Sequence, residues 1–481
     1  MTTATSQRVL RNATILFISQ VLTKLIAFVN FLILTRLLGD RGFGEMSFGL
    51  SYAVLFIVIS SLGVDTIVIR DIAQKQQDPE LLVGNSAALR FVLTLLTLAM
   101  AIGSSFVFGY SGYLRLVIFL YAIVVMEDAY ARFLLNVFRA YQRMEYEAIV
   151  LLVEKILIFG GLVVGFLLRI NVYQVALVYI GAGVIKLVLT VLLMERRFLH
   201  LSLQWDIKFW RSILRESIPF AGIIMLGTIS WKIDTVMLQA MKGETVVGWY
   251  AAPYRIIETL LFVPDAVGSA LMPAVASLFV SARWKVASGV RQGIRLLAFV
   301  GIGLAIGGTT LSRELLTLIL GRHFAPSIPA FQILVWAMAF IFIEYVTNNT
   351  LTATHLQMKM ILISAIGVIV NVSLNLFLIP KYSLIGASIA TVITEACNVT
   401  LGLYFIWRLL RESILSVDIF KYILAGITMG LAIIGLKSFS WIVAGLLGSV
   451  IYVVAAFLLK GIRQEDMALV REFIARRGRV D

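Results

Sequence analysis

The chain has 481 residues, of which 60% are hydrophobic and only 14% charged, and its formal net charge is +14. With a mean hydropathy of +0.95 there is too little polar sequence to give soluble domains a water-facing surface, which argues against a water-soluble enzyme. Eight prolines and 27 acidic residues, with no Pro-, Ser- or Gln-rich stretch, argue against disorder, and the single cysteine, Cys397, rules out an internal disulfide and weighs against a Cys-based metal site.

A helix needs about 20 mostly apolar residues to cross the hydrocarbon core. Fourteen such runs stand between polar breaks, at about 13–35, 43–69, 84–108, 113–138, 147–168, 173–194, 217–240, 247–276, 291–311, 328–351, 358–379, 383–407, 419–436 and 440–460. The expected fold is therefore an all-α membrane protein of about fourteen transmembrane helices. The basic start of the chain lacks a small-residue cleavage site and the first run holds Lys24, so it reads as an uncleaved span. Between the sixth and seventh runs, Trp205, Ile207, Phe209, Trp210, Ile213 and Leu214 alternate with Lys208, Arg211 and Arg215, the pattern of an amphipathic helix on the membrane surface. A hinge between halves is its expected role.

Basic residues set the orientation. The N-terminus, the even-numbered connections and the C-terminal tail hold 26 Lys and Arg, Arg90 and Arg295 among them, and the odd-numbered connections hold nine. Both termini are therefore expected in the cytoplasm, at the plasma membrane. The same residues account for the positive charge through anionic headgroups, with no nucleic acid needed.

An internal echo divides the chain. Leu38-Gly39-Asp40-Arg41-Gly42-Phe43-Gly44 is followed 204 positions later by Lys242-Gly243-Glu244-Thr245-Val246-Val247-Gly248, with the first and last glycines aligned. Two six-helix halves follow, and because six is even they insert in the same sense, as parallel repeats with a substrate path between them. The expected organisation is an N-lobe over 1–199, a cytoplasmic amphipathic linker over 200–216, a C-lobe over 217–412, two extra helices over 413–460 and a basic cytoplasmic tail over 461–481.

Six basic residues lie within spans: Lys24, Arg132, Lys155, Lys186, Lys232 and Arg255. Each costs about 2.5–3.5 kcal/mol at a helix centre and needs a partner, a wet cavity or a route to the surface. Acidic residues in spans include Asp65, Glu127, Asp128, Glu154, Asp234, Glu258, Asp265, Glu344 and Glu395. Ser19, Gln20, Thr23, Lys24 and Asn30 fall on one side of the first helix, and Arg255, Glu258, Phe262, Asp265 and Ser269 follow steps of three and four along the eighth. The bland reading is structural pairing, Arg255 with Glu258, Asp128 with Arg132, and Lys155 or Lys186 with a neighbouring helix or snorkelling to the surface. Lys24 has no acidic residue three or four positions away and lies mid-span, so cavity lining is favoured for Lys24 and Arg255, while Lys232 is open to either role. A wet cavity holding Lys and Arg attracts anions, and Arg's fork of donors suits phosphate.

The stretch Asp234-Thr235-Val236-Met237-Leu238, then Gly243, Gly248-Trp249-Tyr250-Ala251-Ala252, and later Asn371 to Asn375, Pro380 and Ile385-Gly386-Ala387 resemble the polysaccharide-biosynthesis flippases of the multidrug/oligosaccharidyl-lipid/polysaccharide superfamily. The resemblance covers nearly the whole chain and rests on helix-end and packing patterns. It implies two six-helix lobes in a V, alternating access, a cationic central cavity, and a polyprenyl-diphosphate-linked oligosaccharide carried from the inner to the outer leaflet. It also implies that basic residues on the first and eighth helices, here Lys24 and Arg255, with Lys232 as a further candidate, meet the diphosphate. Asn30, Asp234, Glu258, Asp265 and Glu344 are candidates for cavity lining or for coupling to H⁺ or Na⁺. No other cofactor or metal is expected, and no P-loop is present for ATP. The implied partners are the lipid-linked substrate, membrane lipids, and a glycan polymerase with glycosyltransferases.

Two rivals stand beside this reading. A cation-coupled multidrug or small-molecule exporter of the same superfamily should line its cavity with acids and aromatics. A membrane enzyme such as a sugar polymerase should carry a sizeable outer loop with catalytic residues, and no outer connection exceeds about 20 residues. His200, His323 and His355 are too scattered for a catalytic or metal site.

Overall fold

The computed structural model describes residues 3–74, 78–414 and 416–463, without the side chains of 3–21, 73, 219, 220, 223, 269, 270 and 274. Ser19, Gln20 and Ser269 of the expected polar stripes, and the tail beyond 463, therefore lie outside the described side chains. Fifteen α-helices and two short 3-10 turns are joined by tight connections, and no strand occurs among the described residues. Ten helices in this part of the chain are long and apolar enough to cross a membrane.

Helix α1 (Thr3–Ser61) joins the first two expected spans across Gly39, whose φ of 65° and ψ of −168° leave the helical region. Without a Cβ, glycine enters that region at little cost. Then come α2 (Val64–Gln74), α3 (Pro79–Val107), α4 (Gly112–Ala140), α5 (Met144–Leu168) and α6 (Val172–Arg197). Their starts follow local chemistry: the Asp78 side chain accepts from Glu80 N ahead of Pro79, and Asn171 forms a reciprocal capping box with Gln174. Helix α7 (Ile207–Lys242) runs for 36 residues, so the expected surface segment and the seventh span are one continuous helix. Gly243, at φ 84° and ψ 178°, separates it from α8 (Glu244–Leu260). The two glycines aligned by the 204-residue echo thus share one uncommon backbone conformation.

The second half holds α9 (Phe262–Ser281), α10 (Val286–Thr310), the short α11 (Ser312–Ile319), α12 (Ile328–Ala353), α13 (Gln357–Leu410), α14 (Asp418–Leu436) and α15 (Trp441–Leu458). Helix α13 joins the eleventh and twelfth expected spans across Ser383, at φ 54° and ψ −132°.

Two compact units result, Met1–Ala251 and Ala252–Asp481. The core of the first gathers Ile67, Val68, Leu82, Phe133, Phe138, Val150 and Met194, closed by Leu199 and Ile213 from the chain after α6. That segment, expected to act as a hinge, is tied to α3. Gln204 N donates to Gly84 O (3.4 Å), Asn85 Nδ2 to Gln204 Oε1 (3.0 Å), Asp206 N to Asn85 Oδ1 (3.1 Å) and Trp210 Nε1 to Asn85 O (3.0 Å).

The core of the second unit packs Ala298, Ile302, Tyr422, Met429, Ile433 and Tyr452 from α10, α14 and α15. Helix α15 explains how a chain this apolar stays ordered. Its buried positions, Ala444, Gly448, Tyr452 and Ala456, recur every four residues, and three of the four are small enough for close helix contact. Its other faces expose Leu446, Val450, Val454 and Phe457. Apolar side chains outside and small ones inside are the arrangement a lipid solvent requires, since hydrocarbon offers no hydrophobic drive for burying leucine.

Candidate functional site

The candidate residues divide between the units. Lys24, Asn30, Lys232 and Asp234 belong to the first; Arg255, Glu258, Asp265 and Glu344 belong to the second. Lys24 is exposed on α1, and one and a half turns on, Asn30 is buried with its Oδ1 given no hydrogen-bond partner among the described residues. On α7, Lys232 is half-buried, and buried Asp234 accepts a hydrogen bond from Tyr250 OH at 2.9 Å. The phenol comes from α8, across the Gly243 turn, so the family-like stretches around 234 and 250 meet in space.

In the second unit, Arg255 Nη1 donates to Glu258 Oε2 at 2.8 Å, the i,i+3 pair read from the sequence. The Arg255 side chain is 59% exposed and that of Glu258 17%. The expected eighth span is not one straight helix: α8 ends at Leu260 and α9 begins at Phe262. Pro264 lacks the N–H that would bond to the Leu260 carbonyl, which breaks the ladder there. Phe262 and Asp265 remain exposed beyond the break. On α12, Glu344 Oε1 accepts weakly from Asn348 Nδ2 (3.4 Å), and its carboxyl hydrogen-bonds that of Glu395 on α13. The sequence singled out both glutamates without pairing them.

Helix α8 has a second character. Ile256, Ile257 and Leu260, next to the charged pair, wall an apolar cavity of about 470 Å³ completed by residues of α10, α12, α14 and α15, among them Phe299, Phe331, Met429 and Tyr452. One helix therefore carries an exposed guanidinium and borders an apolar hollow within five residues.

Other intramembrane charges are spent on structure. Lys186 of α6 has a fully buried side chain, and its Nζ lies 2.7 Å from Asp128 Oδ1 of α4, 2.8 Å from Glu154 Oε1 of α5 and 3.6 Å from Glu127 Oε2. Arg132 pairs with Asp128 at 2.7 Å and Lys155 with Glu154 at 2.9 Å. Three cations thus meet three carboxyl groups in one cluster. The lack of a side chain at Gly183 makes room for it, because a Cβ there would stand 2.0 Å from Glu127 Oε2. Arg90, assigned by sequence to a cytoplasmic connection, is 1% exposed inside α3. Its guanidinium donates to the carbonyls of Ser60 (2.6 Å) and Ala129 (2.8 Å). Ser60 is near the end of α1, where last-turn carbonyls lack helical partners, so the buried Arg closes that helix. Arg295, assigned likewise, is 3% exposed in α10. Among the described residues no group of three or more His, Cys, Asp or Glu is arranged to hold a metal ion.

Against known proteins, the model of the polysaccharide biosynthesis protein family matches residues 9–279, more than half of the chain. The chain belongs to that family. A relative that spans most of the chain is the uncharacterized membrane protein MJ1068 of Methanocaldococcus jannaschii, 23% identical over 82% of this chain and 84% of its own length. The probable flippase AglR of Haloferax volcanii is 25% identical over 38% of each chain. Among solved structures, the lipid II flippase MurJ in an inward closed conformation superposes with a TM-score of 0.73 at 13% identity, covering 95% of this chain and all of that one. That likeness establishes the fold: a polysaccharide-biosynthesis family member built on the helical architecture of that flippase, in line with the superfamily resemblance read from its sequence.

Proposed function

We propose that this family member is a flippase that carries a polyprenyl-diphosphate-linked oligosaccharide from the inner to the outer leaflet by alternating access through a cationic cavity. The observation that carries the reading is α8: an exposed Arg255 on the same short helix that walls an apolar hollow. A lipid-linked oligosaccharide has both needs in one molecule, an anionic diphosphate that must stay solvated and a hydrocarbon tail that must not. Arg255, 59% exposed, keeps its guanidinium at the surface of α8 while pairing with Glu258 one turn on. Lys24, exposed on α1, supplies a second cation within a span, with Lys232 a third. No bond is made or broken in this process, and none of the residues assigned to it acts as a nucleophile.

Both termini in the cytoplasm, a plasma-membrane location, glycosyltransferases that supply the substrate and a polymerase that consumes it belong to the same proposal. So does coupling to H⁺ or Na⁺, for which the Glu344–Glu395 pair is the favoured carrier. That pair also favours a second reading, a cation-coupled exporter of small molecules. The deciding experiment reconstitutes the protein in vesicles with a fluorescent polyprenyl-diphosphate disaccharide and follows its quenching by a membrane-impermeant reductant. Flipping of the diphosphate but not of a cationic dye, lost in Arg255→Gln, is expected. Dye transport with an immobile diphosphate would replace the flippase reading by the exporter.

A further inference from the structure

The aligned glycines of the 204-residue echo do more than turn the chain: they pack against each other. A Cβ on Gly44 would stand 1.9 Å from the carbonyl oxygen of Glu244 and 2.8 Å from Gly248 N. A Cβ on Gly248 would stand 1.9 Å from the carbonyl oxygen of Asp40 and 3.2 Å from Gly44 N. Position 40 corresponds to 244 and position 44 to 248, so the contact is reciprocal. Each repeat presses a glycine Cα onto the other repeat's first-turn carbonyl. Contacts that close are open to glycine alone, and they place Cα–H groups where weak hydrogen bonds to carbonyl oxygens form.

The side chains around this reciprocal core break its symmetry. Trp249 Nε1 donates to Asp40 Oδ2 at 3.0 Å, across the contact, while Asp40 Oδ1 is held by its own chain through Arg41 N at 2.8 Å. The residue matching Trp249 in the first repeat is Glu45, which would meet Glu244 if it crossed in the same way. It is instead turned back, accepting from Arg41 Nε at 3.2 Å and from Tyr113 OH at 2.5 Å, with its side chain 4% exposed. One side of the contact is thus latched by an indole and the other is kept clear of two facing carboxylates.

We infer that these two turns form a separable clasp, with the Trp249–Asp40 bond as a side-chain latch. The composition suits an interface that must close tightly and still part. Glycine lets the two backbones meet directly, and a hydrogen bond to a carboxylate is strong enough to bias the closed state without locking it. The clasp lies at the turns of the first and seventh connections, which the basic-residue census places on the outer face. It deepens the transport reading and rests on it for its purpose: parting the clasp opens the path to the outer leaflet.

The test reads opening directly and requires neither substrate nor transport, so its result is separate from that of the flippase assay. Val247 is fully buried beside Gly248. In a Cys397→Ser background, V247C is reacted in detergent with a polar maleimide, with K242C, exposed at the end of α7, as the accessible control. In the otherwise unsubstituted protein V247C is expected to react far more slowly than K242C. Trp249→Phe keeps the ring and removes the donor, and about a tenfold faster reaction is expected for the loss of a hydrogen bond to a charged group. Gly44→Ala or Gly248→Ala, which cannot close, should bring V247C to the rate of K242C. Equal V247C rates with and without Trp249→Phe, or a rate already equal to that of K242C before any further substitution, overturn the inference. Trp249→Phe alters no backbone contact, so it decides the matter even if the alanine variants fail to fold.

Discussion

Replacing Lys186 with methionine tests how the first unit tolerates charge in the membrane. Methionine keeps the length and apolar stem of lysine but removes the one cation that bridges Asp128, Glu154 and Glu127 at 2.7, 2.8 and 3.6 Å. Three carboxyl groups then face two cations at a site where the lysine side chain had no exposure. Removing one member of a buried pair typically costs about 3–5 kcal/mol. Here Asp128 keeps Arg132 and Glu154 keeps Lys155, so the low end, about 3 kcal/mol, is expected. For a unit of this size that corresponds to a fall in melting temperature on the order of 6–12 °C. The double variant Lys186→Met with Glu154→Gln again has as many cations as carboxyl groups and should recover at least half of the loss. Both are read by thermal unfolding of the purified protein in detergent, followed by near-ultraviolet circular dichroism. If Lys186→Met melts within about 2 °C of the parent, or if Glu154→Gln worsens it, the cluster is not held by pairing of its charges.

Three further outcomes follow from the same geometry. Arg255→Gln should slow diphosphate-lipid flipping about tenfold, the value of one hydrogen bond to a charged group, while leaving the melting temperature within about 2 °C because the side chain is largely exposed; a shift in stability without a change in flipping would make Arg255 a structural residue. Gly84→Ala sets a Cβ 2.1 Å from the Ser202 carbonyl, so it should cost about 1–3 kcal/mol and expose 198–206 to limited proteolysis, measured by the cleavage rate against the parent. Gly448→Leu drives a side chain into Ile433, which already lies 2.5 Å from a Cβ at that position, and should detach α15 from α14, seen as loss of monodisperse protein on gel filtration.

What the sequence made legible was set by the reach of a helix. Apolar runs of about 20 residues marked spans because hydrocarbon thickness imposes them, and pairs three or four residues apart, Arg255 with Glu258 and Asp128 with Arg132, followed from the helical period alone. Contacts between helices were not legible in that way. Nothing local says that Lys186 faces Glu154, that Glu344 meets Glu395 or that Tyr250 reaches Asp234, because each depends on how neighbouring helices are rotated. Arg90 and Arg295 were read as connection residues since basic side chains near span ends normally sit in water; Arg90 is buried because the last carbonyls of α1 need donors. The continuity of α7 through the amphipathic stretch was hidden by its change of composition, which alters the surroundings of a helix without ending it. The break at Leu261 did have a signal, Pro264, outweighed in the reading by the regular spacing of the polar stripe around it.

Charged residues within spans are treated in two ways in this molecule. Lys186 and Arg90 have almost no exposure and donate to carboxylates or carbonyls at 2.6–2.8 Å, so recruiting either to a substrate would leave buried acceptors unsatisfied. Lys24 and Arg255 lie equally within apolar sequence but remain exposed, and Arg255 pairs with Glu258 on its own helix. In a bilayer an exposed cation is stable only where water or an anionic headgroup reaches it, since hydrocarbon penalises it by several kcal/mol. On the proposed reading, the exposed face of Arg255 is where water or an anionic headgroup meets α8.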